Sequence, residues 1–158
     1  MDEAIVVRPA VESDARTLLS LVRALAEYEK LDPPDEAAQR RLVRDIFGDR
    51  KRLDAFLAEA GGAVIGYALV LETYSSFLAL PTLYLEDLFV LPEHRGKMAG
   101  STLFRAVVAE AHRRGCGRME WRALEWNDLA KEFYRRQGAV ALEEWRVWRL
   151  TQEKINSL

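Results

Sequence analysis

Glu86 and Asp87 stand side by side in a run that is otherwise apolar, between Tyr84, Leu85 and Leu88, Phe89, Val90. A carboxylate can attract an ammonium group and accept its proton, and an unpaired one is costly to bury, so two together inside an apolar strand point to chemistry. Strand alternation sends neighbours to opposite faces, so at most one of the pair faces a given cleft unless the strand bulges. The plain alternative is two exposed residues at a strand end. Just downstream, Arg95, Gly96, Lys97, Met98, Ala99, Gly100 and Ser101 make a basic, glycine-containing turn ahead of an amphipathic stretch. Such a turn suits an anion, because the first-turn N–H groups of a helix lack partners and its dipole is positive there. It is neither a P-loop nor a GxGxxG fingerprint, and a bare structural turn is the alternative. Further on, Asn127 precedes a short helical stretch carrying Phe133 and Tyr134. Tyr134, taken by itself, reads as an amphipathic packer with its hydroxyl in water.

Positioning these groups takes a set of elements that the pattern makes legible. Residues 84–90 are apolar on both faces, as in a buried strand, and Pro92 ends it. A first strand covers 5–8, stopped by Pro9. Ser13 is expected to cap a helix with Leu18, Leu19, Val22, Leu25 and Ala26 on one face. Asp35 caps a second helix reaching Phe47, whose Arg40, Arg41 and Arg44 read as a solvated face. Residues 55–60 and 63–71 form a hairpin about Gly61-Gly62. Residues 73–81 read as a loop or ragged strand end. A helix over 100–114 buries Leu103, Phe104, Val107, Val108 and Ala111 and stops at Gly115. A strand at 118–123, a helix capped by Asn127 and ended by Gly138, strands at 139–144 and 146–150, and a short helix capped by Thr151 complete the order. The fold class is α/β: one domain over 1–158, with a mixed central sheet of about seven strands flanked by helices.

Composition narrows the function. The 158 residues suffice for one domain with a sizeable core, and 49% are apolar, as in an ordinary globular protein. A net charge of −2 gives no general attraction to nucleic acid or an acidic membrane. The single cysteine, Cys116, excludes an internal disulfide and cysteine-rich metal sites. The two histidines, His94 and His112, sit on different elements without metal-ligand spacing, so no metal is expected. No signal-peptide pattern or membrane-length apolar run is present, and a cytoplasmic location is expected.

Taken together, the motifs resemble the GNAT superfamily of N-acetyltransferases, and within it the diamine (spermidine/spermine) and thialysine acetyltransferases. The resemblance rests on Val7-Arg8-Pro9-Ala10, Leu25-Ala26-Glu27-Tyr28-Glu29, Tyr84-Leu85-Glu86-Asp87-Leu88-Phe89-Val90, Glu125-Trp126-Asn127 and Phe133-Tyr134, in order and at matching spacing over nearly the whole chain. It implies acetyl-CoA as acetyl donor and a primary amine of a small molecule, polyamine or amino-acid-like, as acceptor, in a homodimer without nucleic-acid or membrane partners. Protein lysines or N-termini as acceptors, or CoA binding without turnover, are the alternatives. By that resemblance Arg95 to Ser101 hold the pyrophosphate through main-chain donors, Asn127 bonds the pantetheine arm, Tyr134 protonates the leaving thiolate, and Glu86 contacts and deprotonates the amine. Tyr28, Glu29 and Asp87 close the amine side. Backbone N–H groups at a bulge around Leu88, Phe89 and Val90 can meet the developing oxyanion. Two positions depart from the pattern. Met98 stands where the turn usually has a glycine, bringing a side chain close to the expected pyrophosphate. Arg146 stands where the diamine enzymes have an acid, which should repel a polycation.

Overall fold

The computed structural model describes residues 4–158. By density of internal contacts the chain divides into two compact units, Met1–Arg122 and Ala123–Leu158.

In the first unit, β1 (Val6–Pro9), α1 (Ala15–Glu29), α2 (Glu36–Phe47), β2 (Asp54–Ala60), β3 (Ala63–Ser75), β4 (Leu80–Val90), α3 (Ala99–Arg113) and β5 (Arg118–Trp121) follow one another. The strands form one five-stranded sheet in the order β1-β2-β3-β4-β5, antiparallel except for the parallel β4–β5 pair. Local chemistry accounts for most boundaries. Gly61 and Gly62, at φ 56° and 79°, turn β2 into β3. The Asp35 carboxylate accepts from the Ala38 N–H and starts α2. α1 begins one residue later than Ser13 would allow: Asp14 is its N-cap, and the Asp14 side chain accepts instead from the Val11 N–H and from Arg8. Arg8 also reaches Glu59, tying β1 to β2 and to the entry of α1. Residues 73–81, read as a loop or ragged strand end, continue the β3–β4 hairpin as far as the Ser75–Leu80 pair.

Leu18, Leu21, Ile46, Ala55, Leu57, Tyr67, Leu69 and Phe89 form one core, where α1 and α2 cover one face of the sheet. The alternate residues Ala58, Ala68, Val70 and Leu85 are buried too, so the sheet needs a second cover. That cover is α3, whose Leu103, Phe104, Val107 and Ala111 are buried and which packs on β2, β3 and β4. β3 and β4 approach so closely at Gly66 that a Cβ there would meet the Phe89 carbonyl oxygen at 2.6 Å.

In the second unit, α4 (Asp128–Arg136) is capped by Asn127, whose Oδ1 accepts from the Ala130 N–H at 3.1 Å. Gly138, at φ 89°, follows its end. The Thr151 hydroxyl caps α5 (Gln152–Ser157). The strands expected at 139–144 and 146–150 do not form, so the sheet has five strands rather than about seven. A strand exists only by exchanging backbone hydrogen bonds with a neighbour, and residues 139–150 find no ladder partner among the described residues.

Candidate active site

The acidic pair sits where β4 departs from regular pairing. Asp87 lies opposite Leu69 and Leu85 opposite Val70, so Glu86 is an extra residue, a β-bulge. The bulge expected around Leu88 to Val90 is absent: those residues pair in unbroken register with Ala68, Tyr67 and Gly66. Donors for an oxyanion arise differently. β5 pairs with β4 only as far as Leu85, opposite Trp121, whereas β4 runs on to Val90. Among the described residues Glu86 to Val90 therefore have no strand partner on that edge, whose N–H groups a ladder does not use.

Glu86 is exposed at the bulge, while Asp87 is half-buried. The Tyr67 hydroxyl, on β3, donates to Asp87 Oδ2 at 2.9 Å. Burial pushes the Asp87 carboxyl up to about 6; the Tyr67 hydrogen bond pulls the other way, and the charges of Glu86 and Glu29 push it further up. Burial also raises Glu29, at the C-terminal end of α1. Tyr67 is wholly buried, and burial, then the charge of Asp87, hold it as a phenol far beyond neutral pH.

Aromatic rings wall this acidic group. Phe89 packs against Tyr67 and Tyr28, with centroids 6.4 and 6.2 Å apart. The Arg95 guanidinium lies 4.3 Å from the Tyr28 centroid and 5.5 Å from that of Phe89, and its Nε donates to the Val90 carbonyl oxygen at 3.0 Å. Its main-chain N–H donates to Pro92. The first residue of the basic turn thus uses its side chain to link the end of β4 to α1, while its amide closes the turn at Pro92. Farther along, α3 starts at Ala99, and its N-cap Met98 offers no capping side chain. Gly96 (φ 78°) and Met98 (φ 66°) both take left-handed backbone. A Cβ on Gly96 would meet nothing within 4 Å, so the turn is roomy. A helix start without a capping side chain suits the pyrophosphate of acetyl-CoA. The Met98 departure therefore acts through backbone strain, which a glycine would not carry, with its side chain out in solvent.

The first unit thus brings together Tyr28, Glu29, Glu86, Asp87, Phe89 and Arg95 around Tyr67. Tyr67 escaped the sequence reading. Its one signal is a phenol in an otherwise apolar strand, which must find a polar partner when buried. Asn127, Tyr134 and Arg146 belong to the second unit. Tyr134 lies on α4 with its ring edge-on to Phe133 at 5.5 Å, and Arg146 lies in the irregular stretch after α4. A cavity of about 650 Å³ elsewhere in the first unit, lined by Asp54, Glu72, Glu110, Arg113 and Arg114 among others, holds charges that already pair with one another and does not include the acidic pair. No helix among the described residues is long and apolar enough to cross a membrane, and no cluster of metal-binding side chains occurs among them.

The acetyltransferase (GNAT) family model matches residues 18–139. A thialysine N-epsilon-acetyltransferase of Bos taurus is 33% identical over 165 residues, covering 98% of this chain and 96% of that protein. An L-ornithine N5-acetyltransferase of Arabidopsis thaliana is 39% identical over 95 residues, covering 60% of this chain and 42% of that protein. Among solved structures, aminoglycoside N-acetyltransferase AAC(6')-Iy in complex with CoA shares the fold, with a TM-score of 0.78 at 21% identity over 95% of this chain and 97% of that one. The chain belongs to the acetyltransferase (GNAT) family and is an acetyl-CoA-dependent N-acetyltransferase.

Proposed function

We propose that the acetyl acceptor is the primary amine of a small cationic molecule, a polyamine or an amino-acid-like amine. The observation that carries this reading is a cluster of three carboxylates, Glu29, Glu86 and Asp87, in which Arg122 acts on Glu86 while Asp87 stands beside the like charges of Glu86 and Glu29. A ligand ammonium would supply the missing charge. The relatives named for thialysine and ornithine, both amino-acid-like amines, support the same class. Bound acetyl-CoA supplies a thioester carbonyl to the attacking nitrogen. A lysine-like ammonium has a pKa of about 10.4, so freeing its lone pair near pH 7 costs about 4–5 kcal/mol, and Glu86 or Asp87 takes that proton.

The remaining assignments belong to the same reading. The open β4 edge at Leu88, Phe89 and Val90 meets the developing oxyanion, and Gly96 to Ser101 with the start of α3 hold the pyrophosphate. Asn127 bonds the pantetheine arm through its Nδ2 hydrogens, since Oδ1 is taken up by the cap. Tyr134 protonates the departing thiolate. Tyr28 and Glu29 close the amine side, and Arg146 pairs with a carboxylate on an amino-acid-like acceptor. The protein acts as a homodimer in the cytoplasm.

The test is a thermal shift with acetyl-CoA followed by a thiol-release assay over diamines, basic amino acids and a lysine peptide. Saturation at about 100 times the dissociation constant should stabilise the fold by about 2.7 kcal/mol. Turnover should favour the small amines. Tyr134→Phe should lower kcat by about 100-fold without loss of stability. A preference for the peptide over every small amine would move the acceptor to protein lysine.

A further inference from the structure

Tyr67 has no place in the roles above, yet its hydroxyl makes a well-formed bond to the acidic pair. Packed among Leu57, Leu69 and Phe89, its ring does what a phenylalanine would do equally well. Only the hydroxyl distinguishes it, and that hydroxyl ends on Asp87 Oδ2 at 2.9 Å. We propose that Tyr67 is a positioning residue for proton removal: its bond to Oδ2 fixes the Asp87 carboxylate so that Oδ1 is presented to the acceptor ammonium, which makes Asp87 the proton acceptor. This rests on the primary-amine reading above.

Three observations support it. The bond has a fixed direction, because Tyr67 is kept protonated by its burial and by the neighbouring negative charge, so it always donates and Asp87 always accepts. Asp87 is held by an immobile group: Tyr67 is 0% exposed and sits in the middle of β3, whereas Glu86 is exposed at the bulge. The charged and titratable groups acting on Asp87 are Tyr67 from β3, Glu86 from its own strand and Glu29 from α1, so the site favours taking up a proton. A carboxyl raised to about 6 accepts a proton from an amine about 100-fold more favourably than one at an ordinary value near 4. In the step, an N–H bond of the ammonium breaks as an O–H bond forms on Asp87 Oδ1. The freed lone pair then forms the N–C bond while the C–S bond breaks. The second proton lost by nitrogen ends on sulfur, and Asp87 returns the first to solvent.

The experiment compares the parent chain, Tyr67→Phe, Asp87→Asn and the double variant. The Asp87 carboxyl carbon is titrated by NMR without substrates, and kcat/KM for a diamine is followed against pH. Loss of the phenol should raise the Asp87 midpoint by about one pH unit and move the acid limb of kcat/KM by the same amount. It should lower kcat/KM about tenfold on the acid limb near pH 5, and only about twofold near pH 7, and leave the acetyl-CoA dissociation constant unchanged. In the Asp87→Asn background, Tyr67→Phe should change kcat/KM by less than about twofold. An unmoved NMR midpoint in Tyr67→Phe, an acid limb that survives in Asp87→Asn, or an equal cost of Tyr67→Phe in both backgrounds would each overturn the proposal. If Tyr67→Phe fails to fold, an acid limb that survives in Asp87→Asn still overturns the proposal, since Asp87 is then not the group that Tyr67 would position. A parent that acetylates no amine at all would instead overturn the primary-amine reading, and the NMR titration would still report whether the two residues are coupled.

Discussion

Two groups of carboxylates lie in the same compact unit and have opposite surroundings. At the C-terminal end of α3, Arg114 bonds Asp54 and Glu110 at 2.7 Å each and reaches Glu72 at 3.4 Å, while Arg113 adds a second cation to Glu110. Hydrogen bonds from Arg113 and Arg114 outweigh burial there and hold Glu110 down at about 2. At the β4 bulge, Asp87 has a phenol and two like charges for company and stands at about 6. The first arrangement is complete in itself and fastens α3 to β2 and β3. The second leaves Asp87 beside like charges, with Arg122 acting on its neighbour Glu86 instead. A perturbed carboxylate alone does not mark a site; the informative difference is whether the protein supplies the counter-charge.

The sharpest way to break this comparison is Asp87→Asn. Its folded pKa is raised, so its contribution to stability is fully present below the unfolded value near 4 and is lost as pH rises through about 6. The amide variant should therefore be more stable than the parent above pH 6, by up to about 2–3 kcal/mol, with little difference near pH 4. Its kcat/KM should fall by about 100-fold or more. Urea unfolding at pH 4 and pH 8 beside steady-state kinetics measures both. A variant that is inactive and also less stable at pH 8 would assign Asp87 to structure alone.

Arg114→Met should do the reverse. It strands Asp54, Glu72 and Glu110 without their shared cation and should cost about 2 kcal/mol, less than a fully buried pair because Asp54 and Glu72 are partly exposed. The Glu110 pKa is depressed, so its stabilisation is present above the unfolded value and is lost as pH falls through about 2; the variant should show a shallower loss of stability on acidification. The acid limb of kcat/KM should not move. A moved limb would mean that the two clusters are coupled.

The smallest effect is expected outside both clusters, at Met98. Glycine accepts φ 66° without strain, so Met98→Gly should stabilise the fold by about 1 kcal/mol, less whatever chain entropy glycine adds to the unfolded state. Acetyl-CoA should bind somewhat more tightly, as calorimetry would show, while the pH profile set by Asp87 stays in place.

Much of the molecule is local and was legible as such. Asp35, Asn127 and Thr151 cap helices because a short polar side chain reaches back to the first turn. Gly61-Gly62 and Gly115 turn the chain because only glycine takes their backbone angles without cost. The run from Tyr84 to Val90 is apolar on both faces and could only be a buried strand. These features depend on neighbours a few residues away, which the order of residues itself supplies. What depends on partners far along the chain was decided by the tertiary structure. Apolar and β-branched or aromatic residues run through 139–150, yet no ladder forms there among the described residues. The bulge falls at Glu86 because the register with Leu69 and Val70 slips by one residue, and a slip belongs to the pair of strands rather than to either. Tyr67 and Asp87 are twenty residues apart in sequence, and nothing in the spacing of either marks the other. The sheet brings phenol and carboxylate to 2.9 Å, and burial then raises the acid, because desolvation and a fixed hydrogen bond are properties of a packed site and not of a residue type.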